Sequence, residues 1–336
     1  MSRKKSYVLL LLLCSLFLVH CKSEPRTDIT ISSEPVIAKP LPDKDIVFQL
    51  ATHYSGGLDE RVGFVNADGS GESYLDVEEI QAVVEPIWTD DGSKLLFIHP
   101  ADFIEGITKE GYRMKFVGQG WMQKVSPIHG RDQVLIESSH EGHFAIKRID
   151  LESGEVLDIY QCAQYPITNP DGPTERTYLG TNNMHEGKLV FSRYVLEEDF
   201  QEVELTVCNT VTKEYRVLLK FNGDLSSVRL IISPAFSPDG QWIAYTSNDG
   251  IYLIRPDGSE NHQIVKSDVV NPGFWPPVAS WSPDGQWIVY HRCTLNDQER
   301  CRFNIEDSTI FKYNIETGEI VLLVEGGVNP FWRWKE

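Results

Sequence analysis

Basic residues are scarce in this chain. Its 336 residues include 31 Lys and Arg against 49 Asp and Glu, a formal net charge of -18. Setting aside Arg3, Lys4 and Lys5 of the amino-terminal leader leaves 28 basic against 49 acidic residues, a net charge of -21. A surface so poor in cations cannot neutralise a phosphate backbone, so nucleic acid is excluded as a partner. Adhesion to anionic lipid through the protein surface is disfavoured for the same reason. Plain solubility explains the acidity, and a cationic partner is the sharper alternative.

Long apolar runs are also lacking. The longest, Tyr7 to Val19, has 13 residues, against the roughly 20 that a membrane-spanning helix needs. There is no Gly-x-Ser-x-Gly elbow, no Walker loop and no dinucleotide fingerprint, so no cofactor is expected and no catalytic residue stands out. His140-Glu141-Gly142-His143 lacks the helical spacing of a His-Glu-x-x-His zinc site and reads as a hairpin turn. Asp90-Asp91-Gly92 and Asp239-Gly240 lack calcium-loop spacing. They read as turns in which Asp caps the backbone, and no metal is expected.

What the chain does have is a repeat. Pro234-Ala235-Phe236-Ser237-Pro238-Asp239-Gly240-Gln241-Trp242-Ile243-Ala244-Tyr245 returns as Ala279-Ser280-Trp281-Ser282-Pro283-Asp284-Gly285-Gln286-Trp287-Ile288-Val289-Tyr290, 45 positions later. A period of about 40–50 residues marks a propeller or solenoid. In each copy an aromatic ends one strand, Ser-Pro-Asp-Gly turns the chain, and an aromatic and β-branched run makes the next strand. Pro86-Ile87-Trp88-Thr89-Asp90-Asp91-Gly92 is a degraded copy. Asp-Gly hairpin signals recur at Asn66-Ala67-Asp68-Gly69 and Arg255-Pro256-Asp257-Gly258. Weaker units run through Gln133–Ile149 and Lys188–Val207.

The two ends of the chain complete each other. Pro330-Phe331-Trp332 matches the opening of a repeat whose remainder is missing, and Asp45-Ile46-Val47-Phe48-Gln49 matches a second strand without a first. The C-terminal strand should therefore pair with the N-terminal blade and close a ring, removing unpaired edges. The expected fold is all-β: a six-bladed propeller of four-stranded antiparallel blades over 45–336.

Pro-x-Trp/Phe-Ser-Pro-Asp-Gly with a following Asp-Gly hairpin resembles the WD40-like (PD40) repeat of TolB-type propellers, best at 234–259 and 280–319. That resemblance implies four strands per blade about a central channel and, for most of the class, a binding scaffold. TolB has an α/β domain before its propeller, for which there is no room between Cys21 and Asp45. Arg3-Lys4-Lys5 and the apolar run read as a signal peptide over 1–20. Leu18-Val19-His20-Cys21 resembles the lipobox of bacterial lipoproteins, with His20 where that family has Gly, Ala or Ser. It implies lipidation of Cys21 and anchoring in the periplasm or at the cell surface. A plain secreted protein cleaved nearby is the alternative. Residues 21–44, with Pro25, Pro35, Pro40 and Pro42, read as the lipidated Cys and a flexible tether.

The Ser-Pro-Asp-Gly turns and Asp-Gly hairpins should share one regular face. The opposite face should carry long irregular loops at 52–61, 99–111, 161–183, 193–203, 266–278 and 291–308, where function usually sits. The aromatics there, Tyr54, Phe103, Tyr194, Phe200, Phe274 and Trp275, suit a partner interface or sugar stacking; packing onto the rim is the alternative for each. Glu105 and Glu202 are among the acids beside them. Cys293 and Cys301 bracket one loop and are expected to form a disulfide. Cys162 and Cys208 either pair or stay buried thiols. The preferred function is a membrane-tethered module binding a protein or glycan in the cell envelope. A propeller enzyme acting on polysaccharide, for which oligogalacturonate lyases are a precedent by resemblance, and an architectural envelope protein are the alternatives.

Overall fold

The computed structural model describes residues 31–34, 40–54, 57–75, 84–99, 103–117, 121–140, 143–160, 174–180, 183–196, 201–223, 231–247, 249–266, 279–293 and 308–334. Among the described residues there is no helix. A first strand, β1 (Ile31–Glu34), precedes blade 1, which takes β2 (Ile46–Tyr54), β3 (Gly57–Val65) and β4 (Ser73–Leu75). Blade 2 is β5 (Val84–Trp88), β6 (Lys94–His99), β7 (Phe103–Thr108) and β8 (Arg113–Val117). Blade 3 is β9 (Trp121–Pro127), β10 (Gln133–His140), β11 (His143–Asp150) and β12 (Val156–Tyr160). Blade 4 is β13 (Thr174–Tyr178), the short β14 (Met184–His185), β15 (Lys188–Leu196), β16 (Gln201–Asn209) and β17 (Tyr215–Gly223). Blade 5 is β18 (Ile232–Phe236), β19 (Ile243–Ser247), β20 (Gly250–Ile254) and β21 (His262–Lys266). Blade 6 is β22 (Ser280–Trp281), β23 (Trp287–Cys293), β24 (Ser308–Asn314) and β25 (Ile320–Glu325). The last strand, β26 (Val328–Trp332), completes blade 1.

The ring closes as expected. β26 lies antiparallel to β2, with Trp332 opposite Ile46 and Phe331 opposite Val47. The core is a set of apolar layers between blades. Ile46, Phe48, Val289, Ile310 and Trp332 fill the junction of blades 6 and 1. Val47, Phe64, Trp88, Phe97, Val134 and Ile136 join blades 1, 2 and 3. Alternating side chains supply one layer to each neighbouring blade: Val203 and Leu205 of β16 pack toward blade 5, while Cys208 of the same strand packs toward blade 3.

The repeat turn owes its shape to its Ser and Asp. Ser237 Oγ donates to Asp239 Oδ1 at 2.6 Å and accepts from Trp242 N at 2.9 Å, while Asp239 Oδ1 accepts from Gln241 N at 3.0 Å. Gly240, at φ 66°, is in the left-handed region that closes the turn. Ser282, Asp284, Gln286 and Trp287 repeat the pattern. In the degraded copy Thr89 stands in for Ser, with Thr89 Oγ1 to Asp91 at 2.6 Å and Lys94 N to Thr89 Oγ1 at 3.0 Å.

Two expectations need correction. The stretch read as a free tether is partly folded: β1 adds a fifth strand to the outer edge of blade 2, beside β8. Leu41 is 5% exposed within the core of blades 1 to 3, and its N–H bonds Lys109 O at 3.0 Å. An open strand edge and one apolar side chain suffice to hold this segment. Several loops of the irregular face are also shorter than expected. Pairing runs to Tyr54 with Gly57, His99 with Phe103, and Leu196 with Gln201, so 52–61, 99–111 and 193–203 are mostly extended hairpin. Their β-branched and aromatic residues favour continued pairing.

Candidate functional site

Each first strand runs toward a repeat turn, so its start lies at the opposite, irregular end of the channel. There the inner strands of three blades share a kink. Glu85, Ser233 and Asn329, each directly before a proline, have φ of 51°, 52° and 51°. Left-handed φ costs a non-glycine residue of order 1–3 kcal/mol, and it persists only where the surroundings fix it. Each kink coincides with a register shift against the next strand, between Val84 and Ile87, between Ile232 and Ala235, and opposite Val47 and Gln49. These are β-bulges, which turn backbone groups out of the ladder.

Side chains take up the backbone groups so released. Gln49 Oε1 accepts from Asn329 Nδ2 at 3.0 Å and from Glu85 N at 3.4 Å. His291 Nδ1 accepts from Asn329 N at 3.2 Å. That bond requires an unprotonated Nδ1, so this arrangement selects the tautomer with the proton on Nε2. Gln49 is 6% and His291 9% exposed, and the four residues tie blades 6, 1 and 2 together at the channel mouth. Each kinked residue directly precedes the Pro-x-aromatic that opens its copy of the repeat.

A second polar group spans blade 4. Arg193 Nη1 bonds Glu204 Oε2 at 2.8 Å; Lys220 Nζ meets Glu202 at 2.7 Å and Glu204 at 3.2 Å. Hydrogen bonds to Glu202 and Glu204 hold the Lys220 ammonium above its ordinary pKa, with burial opposing them. Two cations face two anions, so the group is charge-compensated and braces the sheet. Glu202 is therefore engaged in this network, and Glu105 is buried.

The predicted site residues fall unevenly. Tyr54 ends β2 and Phe103 begins β7, both at hairpin tips on the irregular face. Tyr194 is corrected: it is 4% exposed, its hydroxyl donating to Ile231 O at 2.8 Å and accepting from Ile231 N at 3.1 Å. It packs blade 4 against blade 5 and offers no surface, because an aromatic at that position in β15 points into the interblade layer. Phe200, Phe274, Trp275, Cys21, Cys162 and Cys301 lie outside the described residues. Cys293 ends β23 opposite Ser308, so the loop that follows leaves and returns at one place. Cys208 is buried and disulfide-bonded, not a free thiol. His140 and His143 close the hairpin of β10 and β11. Among the described residues no group of three His, Cys, Asp or Glu side chains could hold a metal ion.

No protein-family model matches the chain, and no curated protein does. Solved structures do. A putative TolB from Agrobacterium tumefaciens superposes with a TM-score of 0.56 at 16% identity, over 86% of this chain and 92% of that one. TolB from Acinetobacter baumannii gives 0.57 at 14% identity, over 86% of this chain and 66% of that one, so about a third of that protein has no counterpart here. A chain of a nidogen/laminin complex gives 0.57 at 8% identity, over 87% and 99%. At such identities the likeness is one of fold: this chain is a six-bladed β-propeller built like that of TolB.

Proposed function

We propose that the protein is a membrane-tethered binding module of the bacterial cell envelope, anchored through Cys21, whose irregular face takes a protein or glycan partner at the channel mouth. The observation that carries this reading is the difference between the two faces. The regular face is closed upon itself: its turns bond internally and to one another, as in Gly130 N to Asp90 at 2.6 Å and Lys94 Nζ to Asp132 at 2.6 Å. The other face combines three strained kinks, a fixed-tautomer histidine and the hairpin tips of Tyr54 and Phe103. Strain held at the same point of three blades is a feature of sites more than of scaffolding. The TolB-type repeat adds support, since it implies a binding scaffold.

The test is capture of the acylated protein from detergent-solubilised envelopes, beside a variant carrying Tyr54→Ala, Phe200→Ala and Trp275→Ala. A near-stoichiometric partner lost in the variant, with the thermal transition unchanged, is expected. Equal capture by both proteins would remove the irregular face from the account. A Cys21→Ser variant should leave the membrane fraction; if it stays there, the anchor is elsewhere.

A further inference from the structure

Residues 31–34 and 40–44 show where a chain leading from Cys21 meets the propeller. β1 runs antiparallel to β8, with Ile31 opposite Phe116 and Glu34 opposite Arg113. β8 starts at the turn after β7, and that turn belongs to the regular face, because Lys109 N bonds Ser93 O of the neighbouring repeat turn at 2.7 Å. Glu34 is thus at the regular end of the blade 2 rim and Ile31 at the irregular end. Further along, Leu41 N bonds Lys109 O at 3.0 Å, and Asp43 accepts from Arg333 Nη1 at 2.8 Å. The described residues between 31 and 44 therefore make a strap, from the irregular side of the rim, across the regular end of blade 2, to the ring closure.

Residues 22–30, nine in number, separate Cys21 from β1. Fully extended they reach roughly 30 Å, and as a flexible coil they span about 17 Å on average. A spacer running to Lys44 would reach roughly 80 Å. The strands between the two faces are long on this scale: β2 has nine residues, about 30 Å from end to end. A lead this short, leaving from the irregular side of the rim, reaches the bilayer easily only with that side turned toward it.

We infer that the strap orients the propeller on the membrane, with the blade 2 rim and the irregular face turned to the bilayer and the regular face turned away. This rests on lipidation of Cys21 as proposed above. It makes the partner of the irregular face one that is itself held at the membrane surface.

The experiment uses full-length acylated protein, its mass verified, on phosphatidylcholine vesicles with nitroxide-bearing headgroups. A fluorophore is coupled to a non-natural side chain at Val117, at the irregular end of β8, or in a second preparation at Val211, in the exposed turn of blade 4 on the regular face. Quenching should be several-fold stronger at 117 than at 211. In a Ser32→Pro, Ser33→Pro variant, which takes two amide donors from β1, the two positions should become alike and amide exchange over 113–117 should accelerate several-fold. Equal quenching in the unaltered protein, or an unchanged ratio in the proline variant, would overturn the orientation. Exchange over 113–117 that ignores the prolines would overturn the strap alone. Unacylated Cys21→Ser protein that still binds the vesicles would overturn the anchor, and the orientation with it, while leaving the exchange result to decide the strap.

Discussion

Arg333 lies over the indole of Trp88, its guanidinium carbon 4.5 Å from the ring centroid. Arg333 follows β26 and Trp88 ends the inner strand of blade 2, so the contact joins the last residues of the chain to the second blade. The guanidinium also donates to Gly92 O at 2.7 Å and to Asp43 at 2.8 Å, and its backbone N–H to Asp45 O at 2.6 Å. Trp334 continues the clasp, edge-on to His129 at 4.6 Å, and His129 Nδ1 is 2.6 Å from Asp90. One short segment thus touches the strap and blades 1, 2 and 3.

Replacing Arg333 with Ala should lower stability by roughly 2–3 kcal/mol, since it removes a buried cation–π contact and leaves Gly92 O without its donor. Arg333→Lys should recover only part, because an ammonium cannot serve Gly92 and Asp43 in one plane. Denaturant unfolding of both variants checks the order. Removing 329–336 should go further and expose the edge of β2, giving an aggregating product. A truncated chain that is soluble and melts cooperatively would mean that β26 is not what closes the ring.

Asn183 is the corresponding brace on the far side of the ring. It is fully buried; its Nδ2 donates to Val190 O at 2.7 Å and to Pro234 O at 3.0 Å, its Oδ1 accepts from Gly180 N at 2.7 Å, and its backbone N–H reaches Ser126 Oγ at 3.3 Å. One side chain bonds blades 4 and 5, and its amide bonds blade 3. Asn183→Ala should cost roughly 2–4 kcal/mol, as several buried groups lose partners at once. Asn183→Asp should not rescue, because a carboxylate cannot donate to Val190 O and Pro234 O. Gly180→Ala should also destabilise: a Cβ there would sit 2.1 Å from Pro234 O, which only a shift of blade 5 could relieve. Calorimetric melting temperatures decide all three.

The founding repeat was legible because its turn is local. Ser237, Asp239 and Gly240 bond within six residues of one another, and the same composition marks the same geometry at Ser282 and Thr89. Closure was legible because Trp332 and Ile46 are two halves of one pattern. The bulges were harder to read. Nothing in the identity of Glu85, Ser233 or Asn329 announces a left-handed φ, and the proline after each normally disfavours compact backbone. At Glu85 and Asn329 what holds the kink is the ring itself, through Gln49 and His291, which are 36 residues and more away in sequence. Leu41 was hidden for a different reason. A single apolar residue among prolines carries no period, so its burial depends on an edge of blade 2 that exists only once the blade has formed. Tyr194 looks exposed when 193–203 is read as an irregular loop; as part of β15 it is sent inward, while Arg193 joins the charge network.

The serine of the repeat turn should be worth about 1 kcal/mol in each good copy. Ser237→Ala leaves Trp242 N without its acceptor, and Ser282→Ala does the same to Trp287 N. Because the two turns lie in different blades and share no partner, their effects should add within about 0.5 kcal/mol. Ser→Thr at either position should be nearly neutral, since Thr89 already fills that role in blade 2. Urea denaturation of the single and double variants tests this. A double variant far worse than the sum would mean that the two turns communicate across the ring.

Acid should unfold the protein through its turns. In Asp68 and Asp257 the side-chain bonds from Ser70 and Ser259 hold the carboxyl below its ordinary range. In Asp150 the backbone N–H of Ser153 does so. In Asp91 burial pushes the carboxyl up, and the bonds from Ser93 and Thr89 outweigh it. Each folded value is thus lower than the roughly 3.9 of an unfolded chain. A carboxylate of this kind adds stability in full above the unfolded value and loses it as pH falls through the folded one. The melting temperature should therefore be flat between about pH 5 and 8 and fall steeply below about pH 4. Lys220 has the opposite sign: its raised pKa contributes below the unfolded value of about 10.4 and is lost as pH climbs past the folded one. Asp91→Asn should flatten the acid limb while lowering the plateau, because the amide keeps the turn's shape but not its charge-assisted bonds. A melting temperature that drifts down steadily from pH 7 to pH 5 would mean that the acid response does not come from the repeat-turn carboxylates.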